Sequence, residues 1–214
     1  MKTFIAIAVG SLLLTGCSLF GVRSGYEQPH YEVSDRIGEN LEVRRYGPRL
    51  AAEVRFEASP KMEGRRAAFR LLFDYISGAN SSAASIDMTA PVEMSEDSRK
   101  IAMTTPVETS SATDGQVSMR FFLPSNFTLR NAPQPSDPRV RILEISEQIL
   151  VVLRFSGSRE DAIVREKKEQ LVRALEETSW QVASEPVAYF YDPPWTLPFL
   201  RRNEVAVAVT LQGS

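Results

Sequence analysis

Cysteine and histidine are almost missing from this 214-residue chain, which has one of each, Cys17 and His30. A lone cysteine excludes an internal disulfide and a thiolate metal cluster. No zinc-ligand spacing and no glycine-rich phosphate loop occurs. A Ser-His-Asp arrangement would have to recruit His30, and no nucleophile motif accompanies it. An excess of positive charge is missing too. The chain has 25 Lys and Arg against 27 Asp and Glu, a net charge of −2, whereas a nucleic-acid-binding surface is basic. Carboxylate pairs such as Glu176-Glu177 read as the solvated face of a helix. We expect no enzyme and no nucleic-acid partner.

A membrane-spanning run is also missing, since that needs about 20 apolar residues. What the N-terminus has is shorter. Met1-Lys2 precedes an uncharged apolar stretch from Thr3 to Leu14, the pattern of a signal-peptide core. It ends in Leu14-Thr15-Gly16-Cys17, which resembles a bacterial lipobox: small residues fit the peptidase and the cysteine sulfur accepts diacylglycerol. The other reading of Cys17 is an ordinary buried thiol, but it stands between an apolar run and the polar stretch SLFGVRSGYEQ. Ser18 rather than Asp after it resembles lipoproteins forwarded to the outer membrane. We therefore expect residues 1–16 to be a lipoprotein signal peptide, 17–30 a lipidated N-terminus and tether, and 31–214 one domain. The expected location is the bacterial cell envelope, anchored by lipid in the outer membrane and facing the periplasm. Acylation anchors without spanning.

Past the tether, Leu41–Tyr46 alternates apolar and charged residues, Gly47-Pro48 turns, and Leu50–Phe56 continues as a second strand. Ser59 and Pro60 suit a helix start. Phe69, Leu72, Phe73 and Ile76 fall on one helical face, with Arg66, Arg70 and Asp74 turned elsewhere, and Gly78 ends the helix. A strand at Val117–Leu123 precedes a proline-rich linker, residues 131–138. The order then recurs. Val140–Phe155 aligns without gaps on Leu41–Phe56, each ending in Arg-Phe; a second helix starts at Ser158 with Asp161 three residues on; and strands at Pro186–Tyr191 and Glu204–Leu211 follow. Neither half buries its apolar helix stripe and sheet face alone. The expected fold is α+β: a duplicated strand-helix-strand unit forming a distorted, mostly antiparallel β-barrel or sheet with two helices and pseudo-twofold symmetry.

One stretch says nearly the same thing twice: IDMTAPVEMS (86–95) and IAMTTPVETS (101–110). Ile86, Met88, Ala90, Val92 and Met94 are every second residue. A fold-back through Glu96–Arg99 would set Met94 near Ile101 and Val92 near Met103, in a hairpin with its methionines inward. Thioether sulfur suits Cu(I) or haem iron, so Met62, Met88, Met94, Met103 and Met119 admit a periplasmic copper-binding reading. Methionine is equally an adaptable core filler, and the inward phase favours that use.

The first helix carries the other constellation. Arg65, Arg66 and Arg70 accompany Phe69 and Phe73, a surface able to hold a flat apolar dianion, with rings and methionine on its faces and guanidinium groups on its carboxylates. The plainer alternative is an amphipathic helix with its arginines in water.

The segments YEVSDRIGENLEVRRY, FRLLFDYISGAN with IDMTAPV and IAMTTPV, MRFFLPSNF, and YFYDPPWTLPFLRRNEVAVAV resemble the SOUL/haem-binding protein family, in order, from about Tyr31 to Leu211. The resemblance implies non-catalytic binding of haem or another tetrapyrrole, a ligand the fold does not need in order to form, in an apolar cleft beside the first helix. Carried onto this chain, it implies Met62, Arg65, Arg66, Phe69 and Phe73 as contacts. Trp195 and Phe199 are then a wall of the cleft, or structural packing. An axial iron ligand, where there is one, would be His30 or a methionine. The rival expectation, from a different class, is an interaction or structural lipoprotein whose cleft takes a peptide, a lipid or another hydrophobic effector. The sequence names no protein partner.

Overall fold

The computed structural model describes residues 26–57, 61–97 and 116–212. Ten strands and two helices follow in the order β1 (Tyr31–Ile37), β2 (Leu41–Tyr46), β3 (Arg49–Glu57), α1 (Lys61–Ile76), β4 (Val92–Asp97), β5 (Gln116–Phe122), β6 (Arg141–Ile145), β7 (Gln148–Phe155), α2 (Asp161–Arg173), β8 (Trp180–Val182), β9 (Val187–Phe190) and β10 (Asn203–Leu211). They form one antiparallel sheet, β1-β2-β7-β10-β9-β4-β5-β3-β6, with β8 also on β10. The sheet curls into a half-barrel, an α+β fold as expected.

Both helices lie on one face of it. Ala68, Leu72, Tyr75 and Ile76 of α1 pack on Leu50, Ala52 and Val54 of β3 and on Met119 and Phe121 of β5. Val164, Leu171 and the following Leu175 pack on Val151, Leu153, Val205 and Val207. The opposite face is buried too, by Tyr46, Phe122, Leu150, Val152, Tyr189, Tyr191 and Ala206. Burial on both faces explains why β7 and the middle of β10 read as unbroken apolar runs rather than alternating ones.

The two stretches that read alike are interleaved in space. β2 lies between β1 and β7, and β3 between β5 and β6, so the first strand of each half flanks the second strand of the other. Gly47-Pro48 therefore does not close a hairpin; each of the strands it joins has both edges taken elsewhere. β1 and β8 went unseen in the sequence because β1 is polar and largely exposed and β8 has three residues.

Other expectations need correction. Phe69 and Phe73 are not on the buried face of α1: both are exposed, and the buried stripe runs through Ala68, Leu72, Tyr75 and Ile76. Helix α2 was expected to start at Ser158, but it begins at Asp161, and Ser158 Oγ instead accepts a bond from the Glu160 N–H at 3.1 Å. The methionine hairpin fails on pairing. Val92–Met94 has β5 on one edge (Met94 opposite Met119) and β9 on the other (Met94 opposite Ala188). A strand has two hydrogen-bonding edges, and both are taken along Val92–Met94; residues 101–107 lie outside the described residues, as do Ser59 and Pro60. The inward methionines hold: Met88, Met94 and Met119 belong to the core under α1. Gly78, at φ +115°, does end α1.

Candidate functional site

α1 is held close to the sheet at its start. A Cβ on Gly64 would stand 2.5 Å from the Phe56 ring and 3.2 Å from the Glu57 carbonyl oxygen, so the first turn lies directly on β3. Farther along, positions 62, 66, 69 and 73 recur at helical spacing and share one stripe. This stripe points to solvent: Met62 is 60% exposed, Phe69 41% and Phe73 47%. The Phe69 and Phe73 rings are stacked, with centroids 6.2 Å apart and planes 11° from parallel. Phe69 is held from below by the buried Phe121, edge to face at 5.3 Å. Arg66 and Arg70 are exposed beside them. Four of the expected contacts, Met62, Arg66, Phe69 and Phe73, thus come together on one surface.

Arg65 turns the other way. Its Nη2 pairs with Asp161 at the start of α2, and its Nε is buried with no hydrogen-bond partner among the described residues. It borders a cavity of about 140 Å³ between the helices, which is smaller than the roughly 300–1,000 Å³ of drug-sized ligand pockets. A macrocycle is too large for that cavity.

Trp195 and Phe199 belong to a loop between β9 and β10 and are 63% and 70% exposed, around a fully buried Thr196. The loop is held by Arg201, which donates to the Thr196 and Pro194 carbonyls at 2.7 Å each, and by Gly157 N–H on the Pro198 carbonyl at 2.9 Å. Among the described residues neither ring pairs with Phe69 or Phe73. His30 is exposed. Its neighbours Gln28, Pro29 and Tyr31 cover Tyr46, Phe122, Tyr189 and Tyr191 on the face opposite the helices, so His30 is not brought to α1. No cluster of three or more His, Cys, Asp or Glu suited to a metal occurs among the described residues. Cys17 lies outside them.

Sequence reasoning missed a buried ionic layer on the face opposite the helices. Glu204 accepts from Arg44 Nη1 at 2.8 Å, from Arg202 Nε at 2.9 Å and from the Tyr191 hydroxyl at 2.7 Å. Burial pushes the Glu204 carboxyl up, but the bonds and charges of Arg44 and Arg202 outweigh this and hold it below the usual carboxylate range. Arg120 likewise bridges the buried Glu53 and Glu93. Burial, reinforced by the Glu204 charge, pushes the Tyr191 hydroxyl well up. The signal was a charged residue recurring inside apolar strands, as in NEVAVAV. The Glu204 carboxylate is an ionised partner of two guanidinium groups, not a proton donor poised near neutral pH.

No individual curated protein matches the sequence significantly. The fold does have solved relatives. The C-terminal domain of EcmrR is 12% identical, covers 85% of this chain and 98% of its own, and superposes with a TM-score of 0.55. An uncharacterized conserved protein from Listeria innocua is 10% identical, with 80% and 92% coverage and a TM-score of 0.57. A hydrolase from Listeria innocua is 11% identical, with the same coverages and a TM-score of 0.54. At such identities the likeness is one of fold alone. Residues 26–208, most of the chain, match a family described as SOUL heme-binding protein, and the chain belongs to that family.

Proposed function

We propose that this protein binds haem or a related tetrapyrrole, without catalysing a reaction, on the outer face of α1, and that it buffers or transfers that ligand from a lipid anchor at Cys17 in the bacterial envelope. The observation that carries the reading is the stacked, solvent-facing Phe69–Phe73 pair with Met62 on the same stripe and Arg66 beside it. Exposed apolar groups so arranged mark a contact surface. The rings and Met62 take the macrocycle face, and Arg66 and Arg70 take its carboxylates as charge-assisted hydrogen bonds. A bound iron would supply an open axial position, and the exposed Met62 thioether on this face would be able to take it.

The test is a haemin titration of the full chain followed at the Soret band. A saturable one-to-one shift that Phe69→Ser/Phe73→Ser weakens supports the reading; a shift indifferent to that pair removes it. The rigid display of Trp195 and Phe199 favours one second reading, an interaction module that takes a protein or another hydrophobic effector. That reading comes first if no saturable shift is found.

A further inference from the structure

We infer that the crevice between α1 and α2 is a binding site for a small amphipathic organic acid, separate from the outer face of α1. Its floor is apolar apart from Ser95: Met94, Val117, Val164, Ala188 and Phe190, contributed by β4, β5, α2 and β9. Its rim is cationic. Arg65 comes from α1 and Arg165 and Lys168 from α2, against one carboxylate, Asp161, in the described lining.

Two details point to an anionic head group. The buried Nε–H of Arg65 has no acceptor among the described residues, and a buried donor left unpaired is costly, so an entering acceptor recovers that loss. Arg165 is exposed at the rim with no ion pair or hydrogen bond among the described residues. Arg165 and Lys168 also border a second, open groove of about 370 Å³ that continues past Val172 and Pro186. The cations therefore stand where the enclosed cavity meets solvent, within reach of an arriving ligand.

The chemistry follows from this geometry. A carboxylate meets Arg165, Lys168 and the Arg65 Nε–H, while a short acyl chain or a single aromatic ring lies on Phe190 and Val164. An organic cation of the same shape meets a rim of three cations against the single carboxylate of Asp161, a net positive charge that disfavours it. An inorganic anion leaves the floor uncovered. The cavity of about 140 Å³ excludes a tetrapyrrole from this place.

The experiment is photolabelling of the full chain with 4-(trifluoromethyl-diazirinyl)benzoate, mapped by peptide mass spectrometry. The expected label falls on peptides containing Met94, Val164 or Phe190. Octanoate suppresses it, whereas octyltrimethylammonium and inorganic phosphate at equal concentration do not. Arg165→Gln/Lys168→Gln, whose side chains lie on the rim rather than in the core, lowers the labelling about tenfold, with an unchanged melting temperature as the check on folding. Label scattered elsewhere, equal suppression by the ammonium or by phosphate, or no effect of the double variant overturns the proposal. Haemin separates it from the tetrapyrrole reading. If haemin displaces the label and the double variant also loses haemin, the two sites are one and this proposal fails. If haemin does not bind at all while the label stands, this site holds and the tetrapyrrole reading fails.

Discussion

Arg44 and Glu204, separated by 160 positions in the chain, meet across the sheet at 2.8 Å with both side chains buried. One comes from β2 and the other from β10, with β7 between them in the sheet. Tyr191 and Arg202 complete the bonds to the same carboxylate. Breaking such a pair leaves an uncompensated buried charge, which typically costs about 3–5 kcal/mol. Arg44→Leu is therefore expected to lower the unfolding free energy by about that much in urea titrations. Arg44→Leu/Glu204→Leu should recover most of the loss, because an apolar pair of similar volume removes the desolvation cost along with the attraction.

The same carboxylate makes stability fall in acid. The folded-state pKa of Glu204 lies below its unfolded value, so its contribution is complete above the unfolded value of about 4.3 and is lost as pH falls through the folded one. Unfolding free energy measured from pH 7 downward should drop below pH ~4. In Glu204→Gln that acid limb should be flatter, starting from a lower plateau.

Phe69 and Leu72 are neighbours on α1 with opposite duties. Leu72 is fully buried, so Leu72→Ala should cost about 2–5 kcal/mol of stability and leave haemin affinity alone in whatever fraction stays folded. Phe69→Ser/Phe73→Ser should do the reverse: a change in stability within about 1 kcal/mol, consistent with partly exposed rings, and haemin affinity weakened about tenfold or more in Soret titrations.

Gly64→Ala tests the close approach of α1 to β3. Alanine is intrinsically better in a helix by about 1 kcal/mol, yet its methyl would stand 2.5 Å from the Phe56 ring. Overpacking of this kind costs about 1–3 kcal/mol. The expected outcome is a lower melting temperature by thermal denaturation, restored in part when Phe56→Leu is added.

Trp195→Ser/Phe199→Ser removes two exposed rings from a loop held by Arg201 and Thr196. Stability is expected to stay within about 0.5 kcal/mol. Haemin affinity should also be unchanged, since neither ring pairs with Phe69 or Phe73 among the described residues. A loss of affinity in the same Soret titration would bring the loop into the site.

Much of this was legible in the residues. Gly78 stopped α1 where a positive φ was needed, and the period-two phase of Met88 and Met94 announced inward side chains. The helical spacing of 69, 72, 73 and 76 was read correctly as a helix, but not the direction of its stripe. Phe is large and apolar, so periodicity alone assigns it to the core; Ala68 and Tyr75 carry a weaker signal and were passed over. The partner of β4 was misread for a related reason. A neighbouring repeat is the cheapest partner in loop entropy, yet β5 and β9 occupy both edges of Val92–Met94.

By itself the sequence determined both helices, most of the strands, the α+β class and the family, because these depend on local propensity, hydrophobic period and motifs that lie within short windows. Only the tertiary structure decided that Phe69 and Phe73 face water, that Arg65 leaves them to meet Asp161, and that Arg44 finds Glu204. Each depends on how far the sheet covers a helix or on which distant strands become neighbours. Those are properties of the folded sheet as a whole, and no window of the chain contains them.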